Sequence, residues 1–159
     1  MVLINLLFLE LIHAEVKLPA LISSNMVLQC DTTIKLWGWA DSFEKVYINT
    51  SWLKKKISIE ANQDGTWFIE VKTNNSKEPQ IIQIKSETSN ITLENILFGE
   101  VWLCSGQSNM QQPIKGFMGQ PTYESSMVIA KSSNSNLRLF SLNQIGSKIP
   151  LKDIEDSNS

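Results

Sequence analysis

The sequence lacks several features that would place it in a common functional class. It has no uninterrupted run of about 18 apolar residues, so no segment is typical of a membrane-spanning helix. Its 14 basic residues do not exceed its 16 acidic ones, and the formal net charge of −2 argues against nucleic acid as a partner. Histidine occurs once, as His13, and the 2 cysteines have no neighbours at metal-ligand spacing. We therefore expect neither a metal nor another cofactor.

The two cysteines, Cys30 and Cys104, leave two interpretations open. A disulfide between them suits an exported protein. Cys104 falls in an apolar run, however, where a free thiol acts as a small apolar side chain. We predict two free cysteines.

The first 14 residues, MVLINLLFLELIHA, predict a short signal peptide. The run Leu3–Ile12 is mostly apolar, and Ala14 is a small residue of the kind that precedes a cleavage point. The mature protein is then secreted or periplasmic, or lysosomal in a eukaryote, and His13 has no catalytic role. The alternative is a first buried element of the domain, because no Lys or Arg precedes the apolar run and Glu10 interrupts it.

Residues 15–95 predict a mainly β domain. Short apolar stretches with an alternating pattern are separated by turn residues, which is typical of an antiparallel β-sandwich. Residues 53–61 and 66–73 are expected to form a hairpin, because Asn62–Gly65 between them has the composition of a hairpin turn. The charged run Lys54–Lys56 is interpreted as a solvated strand edge that discourages edge-to-edge pairing, in preference to a phosphate site.

Two tryptophans share one face of a strand predicted at residues 34–40. Trp37 and Trp39 point away from Leu36 and Gly38, because successive residues of a strand face opposite sides. Packing of the tryptophans against a second sheet is the more frequent arrangement, and stacking on a sugar ring is the alternative.

Residues 96–159 predict the start of a second, α/β domain. The continuous apolar run Ile96–Cys104 indicates a separate, fully buried strand. Two prolines and two glycines make residues 113–121 a loop, after which Tyr123–Ser132 has a helical pattern and Leu137–Leu142 resembles a strand. A strand–helix–strand order is typical of a parallel sheet.

Between the predicted strand and helix lies Gly99–Met110, read as GEVWLCSGQSNM. Gly106 permits a tight or left-handed turn, Ser108 follows it, and the next residues can open a helix. On such a turn a serine hydroxyl stands above the sheet edge, and its own N–H lies near the positive end of the helix dipole, which suits a nucleophile. The alternative, more frequent on spacing alone, is a serine that caps the helix. The segment is not a G-x-S-x-G elbow, because Met110 replaces the second glycine.

This segment, with LPALISSNMVLQ at residues 18–29 and LWGWA at residues 36–40, resembles the sialate O-acetylesterase family of carbohydrate esterases, which are of the SGNH-hydrolase type. The three blocks fall in the family's order. The resemblance implies that Ser108 is the nucleophile, with Gly106 and Asn109 supporting the turn and the oxyanion site. It also implies that the second domain is SGNH-hydrolase-like and that the substrate is an O-acetylated sialic acid or another acetylated carbohydrate.

A catalytic histidine, in an Asp-x-x-His type of block far downstream of the serine, is also implied by the resemblance. No such block follows Ser108 in this sequence. The chain is therefore interpreted as the N-terminal portion of a longer esterase, or a truncated one, that is inactive on its own. The alternative function is a non-catalytic β-sandwich that binds carbohydrate or packs on a partner domain.

If residues 1–14 are a signal peptide, protein isolated from its native host begins near Glu15. Intact-mass measurement of that protein is expected to show the loss of the first 14 residues. Retention of Met1 in a soluble cytosolic product would contradict the prediction.

Overall fold

A computed structural model of the chain describes residues 15–142, 148–151 and 153. The predicted signal peptide, and His13 with it, lies outside the described residues. Strands dominate the described part, which confirms the mainly β class. In chain order the elements are β1 (Val27–Gln29), β2 (Thr33–Trp39), β3 (Lys45–Thr50), β4 (Ile57–Glu60), β5 (Thr66–Lys72), β6 (Gln80–Lys85), β7 (Asn90–Gly99), α1 (Ser108–Gln111), β8 (Gly116–Phe117), β9 (Gln120–Pro121) and α2 (Ser125–Ala130).

The strands from β1 to β7 make two sheets. A five-stranded sheet has the order β1-β7-β6-β3-β4, and β2 pairs with β5 in a two-stranded sheet. Neighbouring strands are antiparallel except β1 and β7, which run parallel. The sandwich is thus antiparallel, as predicted, apart from this single pair in the described part of the chain.

The two sheets share one apolar core. Along β3, β5 and β6 buried and exposed side chains alternate, because successive residues of a strand point to opposite faces. Buried side chains from both sheets form a single cluster, and its largest fully buried members are Leu36, Ile48, Ile82, Ile84, Ile96, Val46 and Val71. The removal of this apolar surface from water is the main force that holds the sandwich together.

The tryptophans of β2 lie on the face away from the buried residues of that strand. Leu36 and Gly38 are buried, while Trp37 and Trp39 are partly exposed. Trp37 still packs against the margin of the core cluster. A Cβ on Gly38 would clash with the Lys17 carbonyl oxygen and lie 2.8 Å from the ring of Trp67, its cross-strand partner in β5, so no larger residue fits there. The face of β2 that carries Leu36 therefore packs inside the sandwich, and the face that carries the tryptophans contributes less.

The hairpin predicted around residues 62–65 is wrong. The turn itself is present: the Gly65 N–H donates to the Asn62 carbonyl oxygen at 2.9 Å, and Gly65 has a φ of 78°. The strands that it joins pair in different sheets, β4 with β3 and β5 with β2. The turn therefore carries the chain from one sheet of the sandwich to the other. The turn residues are suited to either connection, so their pattern does not distinguish the two.

A bulge in β7 explains the change of pattern at Ile96. The register of pairing with β6 shifts between Leu93 and Ile96, and Asn95 takes a left-handed φ of 56°. Asparagine tolerates this conformation better than most residues. Leu93 and Ile96 are therefore both buried, although they are three residues apart. Because β7 continues to Gly99, the prediction of a separate strand at Ile96–Cys104 is wrong.

Beyond Gly99 the described chain has little regular structure. The predicted helix at Tyr123–Ser132 is confirmed over its middle, as α2, and β8 and β9 form a short antiparallel ladder inside the predicted loop. The strand predicted at Leu137–Leu142 is wrong, because these residues form no strand and are mostly exposed. The division into domains at residues 95 and 96 stays a prediction.

Cys30 and Cys104 are both free, as predicted. Cys104 is exposed rather than buried, because the apolar run before it is not part of a sheet. Within residues 15–142, 148–151 and 153, none of the helices has the length and hydropathy needed to cross a bilayer.

Glu44 joins two turns at one end of the sandwich. Its carboxylate accepts hydrogen bonds from the Asp41 N–H at 3.0 Å and from the Thr88 hydroxyl at 3.1 Å. Burial acts to raise the pKa of Glu44, but these hydrogen bonds and one from Ser86 together outweigh burial and hold the pKa below its usual 4.5. The charged carboxylate is therefore favoured in the folded protein.

A carboxyl group whose pKa is lower in the folded than in the unfolded protein stabilises the fold above its unfolded pKa, and this stability is lost as pH falls through the folded pKa. We expect the free energy of unfolding of Glu44→Gln to fall less than that of the parent between about pH 5 and pH 3. Urea unfolding across this range measures the difference, with Glu70→Gln as the control for an exposed carboxylate. Identical pH profiles for the parent and Glu44→Gln would contradict the prediction.

Two neighbouring isoleucines of β6 test the assignment of its faces. Ile82 is 0% exposed and Ile81 is 41% exposed. Ile82→Ala is expected to lower the free energy of unfolding by about 2–5 kcal/mol, because it removes buried contacts and leaves a cavity. Ile81→Ala is expected to cost less than about 1 kcal/mol. Equal losses in urea unfolding would show that the two faces are assigned incorrectly.

Candidate active site

The predicted nucleophile lies just outside the sandwich. β7 ends at Gly99, and Ser108 is the first residue of α1, where the sequence predicted a helix to open. The apolar run between them is not the buried strand that was predicted, because Val101, Trp102 and Leu103 are 55%, 82% and 90% exposed. No strand of the described chain pairs with this run, and its side chains are largely left in solvent.

Ser108 does not cap α1. The N-cap residue is Gln107, which makes no side-chain capping hydrogen bond. The Met110 N–H donates to the Gln107 carbonyl oxygen at 2.9 Å and closes the turn. Ser108 is exposed, and its hydroxyl has no hydrogen-bond partner among the residues that the structure describes. The capping alternative is therefore wrong, and the hydroxyl is open to a reactant. Because α1 is a single turn, this openness supports a nucleophile better than the helix dipole does.

Gly106 leaves room for the Met110 side chain and does not adopt a left-handed backbone. Left-handed φ values occur at Gly65, Gly116 and Gly119 among the described glycines, and not at Gly106. A Cβ on Gly106 would lie 2.6 Å from the Met110 Cγ, which is closer than non-bonded carbons approach. Glycine therefore lets the Met110 side chain fold back over the turn that carries Ser108.

The described residues bring no general base to Ser108. The single histidine, His13, lies outside them. Asn109 is exposed, and its side chain makes no hydrogen bond within this part of the chain, so its role in bracing the turn stays a prediction. Concavities of about 420 Å³, between β4 and β5, and about 350 Å³, at the turns around Glu44, do not include Ser108. No group of three or more potential metal ligands occurs in the described ranges.

Two side chains to which the sequence analysis gave no role hold the chain where it leaves β7. The Gln29 carboxamide oxygen accepts a hydrogen bond from the Val101 N–H at 2.8 Å, and the Gln29 Nε2 donates to the Glu100 carboxylate at 3.1 Å. Gln29 and Glu100 are 71 residues apart in sequence, so no local pattern connects them. The contact can be recognised only from the folded structure, which brings the two residues together.

Sequence comparison relates the chain to sialate O-acetylesterases. It is 31% identical to that of Homo sapiens over 143 residues, which is 84% of this chain and 26% of that protein. It is 27% identical to that of Mus musculus over 144 residues, which is 85% of this chain and 26% of that protein. It is also 31% identical to that of Rattus norvegicus over 102 residues, which is 58% of this chain and 19% of that protein. No protein-family model matches the sequence.

The fold is shared with a carbohydrate acetylesterase from Xanthomonas citri. Its crystal structure aligns with a TM-score of 0.66 and 21% sequence identity, over 76% of this chain and 26% of that chain. The chain thus spans about a quarter of the length of the relatives it matches, at 26% for both the human protein and the Xanthomonas structure. Similarity in sequence over most of its length, together with the shared fold, shows that the chain belongs to the sialate O-acetylesterase family.

Proposed function

We propose that this sequence supplies the nucleophile of a serine-dependent carbohydrate O-acetylesterase. The observation that carries the proposal is the placement of Ser108, which is exposed at the first residue of α1 and has a hydroxyl that caps nothing. The relatives are named for the esters of sialic acid, and the structural neighbour is named for acetyl esters of carbohydrates. The proposed substrate is therefore an O-acetylated sialic acid or another acetylated carbohydrate.

In the proposed reaction the Ser108 Oγ attacks the acetyl carbonyl carbon while a general base takes its proton. The tetrahedral intermediate collapses, the bond between the carbonyl carbon and the sugar oxygen breaks, and the sugar oxygen takes the proton from the base. Water then attacks the acetyl-serine, which releases acetate and restores the hydroxyl. The Ser108 N–H is a donor for the oxyanion, while Gly106 and Asn109 maintain the turn around it.

The base in this scheme comes from outside the described residues. A serine hydroxyl is a weak nucleophile without an adjacent base, and such a base contributes roughly 10²–10⁴-fold to the rate. We assign the role to a histidine and carboxylate of an SGNH-hydrolase-type domain, in line with the family of the chain. The 159-residue chain by itself is accordingly proposed to be inactive.

The proposed place of action is outside the cytoplasm. The apolar first 14 residues support export, which makes the protein secreted or periplasmic, or lysosomal in a eukaryote.

In a natural-length protein that contains this sequence, Ser108→Ala is expected to lower kcat for acetate release from an O-acetylated sialic acid by at least about a thousandfold. The matched control is Ser105→Ala, the same change at an exposed serine of the same segment, which is expected to keep a rate close to that of the parent. A parental rate in Ser108→Ala would refute the nucleophile and favour the non-catalytic β-sandwich instead.

The 159-residue chain alone is expected to release acetate no faster than its own Ser108→Ala variant. The physical reason is that the described residues hold no base for the serine. A rate above background that disappears in the variant would show that a base lies within these residues after all.

A further inference from the structure

We infer that Gln29, at the end of the short strand β1, and Arg138, which binds Met26 just before β1 and Asn95 of β7, position the serine-bearing segment, residues 101–138, by holding its two ends. The inference rests on the proposed function, because it takes Ser108 as the residue whose position matters. Neither residue touches the serine, so both are positioning residues.

The first end of the segment is held by the carboxamide of Gln29. One planar group uses its oxygen for the Val101 N–H at 2.8 Å and its nitrogen for the Glu100 carboxylate at 3.1 Å. Gln29 itself is paired with Gly99 in the parallel ladder, and the Cys30 N–H donates to the Gly99 carbonyl oxygen at 3.0 Å. Because two successive residues are bound by one rigid group on a strand, the direction in which the chain leaves β7 is fixed.

The other end of the segment is held by the guanidinium of Arg138. It donates to the Met26 carbonyl oxygen at 3.2 Å and to the carbonyl oxygen of Asn95, and its second nitrogen donates to the Asn95 Oδ1 at 3.1 Å. Asn95 is the bulged residue of β7, and its Nδ2 donates to the Asn25 Oδ1 at 2.7 Å. The fork of the guanidinium thus binds a site that is itself held by hydrogen bonds.

The two anchors lie at the two ends of β1. Met26 precedes the strand and Gln29 ends it, so at about 3.3 Å per residue the anchor points are roughly 10 Å apart. Both contacts connect the serine-bearing segment to the sandwich, and beyond the segment the Ala20 N–H donates to the Asp153 Oδ1 at 3.2 Å. The position of Ser108 relative to the sandwich is therefore sensitive to the Gln29 and Arg138 contacts, which lie at the two ends of its own segment.

Small displacements of a nucleophile are costly, since an error of about 1 Å can lower a rate by roughly a hundredfold. Gln29→Glu is the sharpest test, because it keeps the acceptor for the Val101 N–H but places a second carboxylate against Glu100. In the natural-length protein we expect kcat to fall roughly tenfold or more and KM to stay within about twofold.

The double variant Gln29→Glu, Glu100→Gln exchanges donor and acceptor and restores the hydrogen bond in the opposite sense. It is expected to recover most of kcat, which a general loss of stability would not do. The control is Gln63→Glu, the same substitution at an exposed glutamine on the turn between β4 and β5, which is expected to keep the parental kcat. A parental kcat in Gln29→Glu, or a loss that the double variant does not recover, would overturn the inference for this anchor.

Arg138→Lys tests the second anchor, because it keeps the positive charge and removes the fork. We expect the same signature, a lower kcat with a nearly unchanged KM. A parental kcat in this variant would overturn the second anchor.

A measurement on the 159-residue chain separates this inference from the proposed function. Hydrogen exchange at the Val101 amide is expected to accelerate by roughly tenfold or more in Gln29→Glu and to slow again in the double variant. Failure of the proposed function would appear as activity in Ser108→Ala, whereas failure of the inference would appear as unchanged exchange and unchanged kcat in Gln29→Glu.

Discussion

The bulge at Asn95 is the constraint on which both the sandwich and the serine-bearing segment depend. By shifting the register there, β7 keeps Leu93 and Ile96 in one core before its last residues pair with β1 on the other edge. The left-handed backbone of Asn95 also presents the carbonyl and the side chain that Arg138 binds. One unusual backbone conformation therefore shapes the core, the parallel pair and an anchor of the segment that carries Ser108.

Much of the sandwich follows from the sequence because its signals are local. Alternation of apolar and polar residues predicted strands such as β5 and β6, since one face of each packs on the core and the other meets solvent. The run Lys54–Lys56 is exposed immediately before β4, which is an edge strand, as its interpretation as a solvated edge requires. Which strands pair is not local, and so the residues Asn62–Gly65 predict a hairpin turn although the turn connects two sheets.

The sequence predicts where Ser108 lies in the chain, but not which side chains hold the segment that carries it. The GQSNM block placed Ser108 at the start of a helix, which the structure has. The continuous apolar run before it suggests burial, but an apolar run is buried only where another element covers it, and in the described structure Val101–Leu103 are largely exposed. Gln29 and Arg138 carry no motif of their own, because their contacts arise from residues brought together by the fold.

The parallel pairing of β1 and β7 also orders the events of folding. The Asn25–Asn95 contact joins residues 70 apart in sequence, and a loop of that length must close before β1 gains its partner. Such long-range pairings tend to form slowly. During synthesis β1 has no partner strand until β7, the last strand of the sandwich, has emerged from the ribosome. Ser108 leaves the ribosome only shortly after the end of β7, so its segment is made at the moment when the strand pair that holds it becomes complete. The order of synthesis thus matches the order of assembly for the Gln29 anchor, whereas the Arg138 anchor forms only after Ser108 has been made.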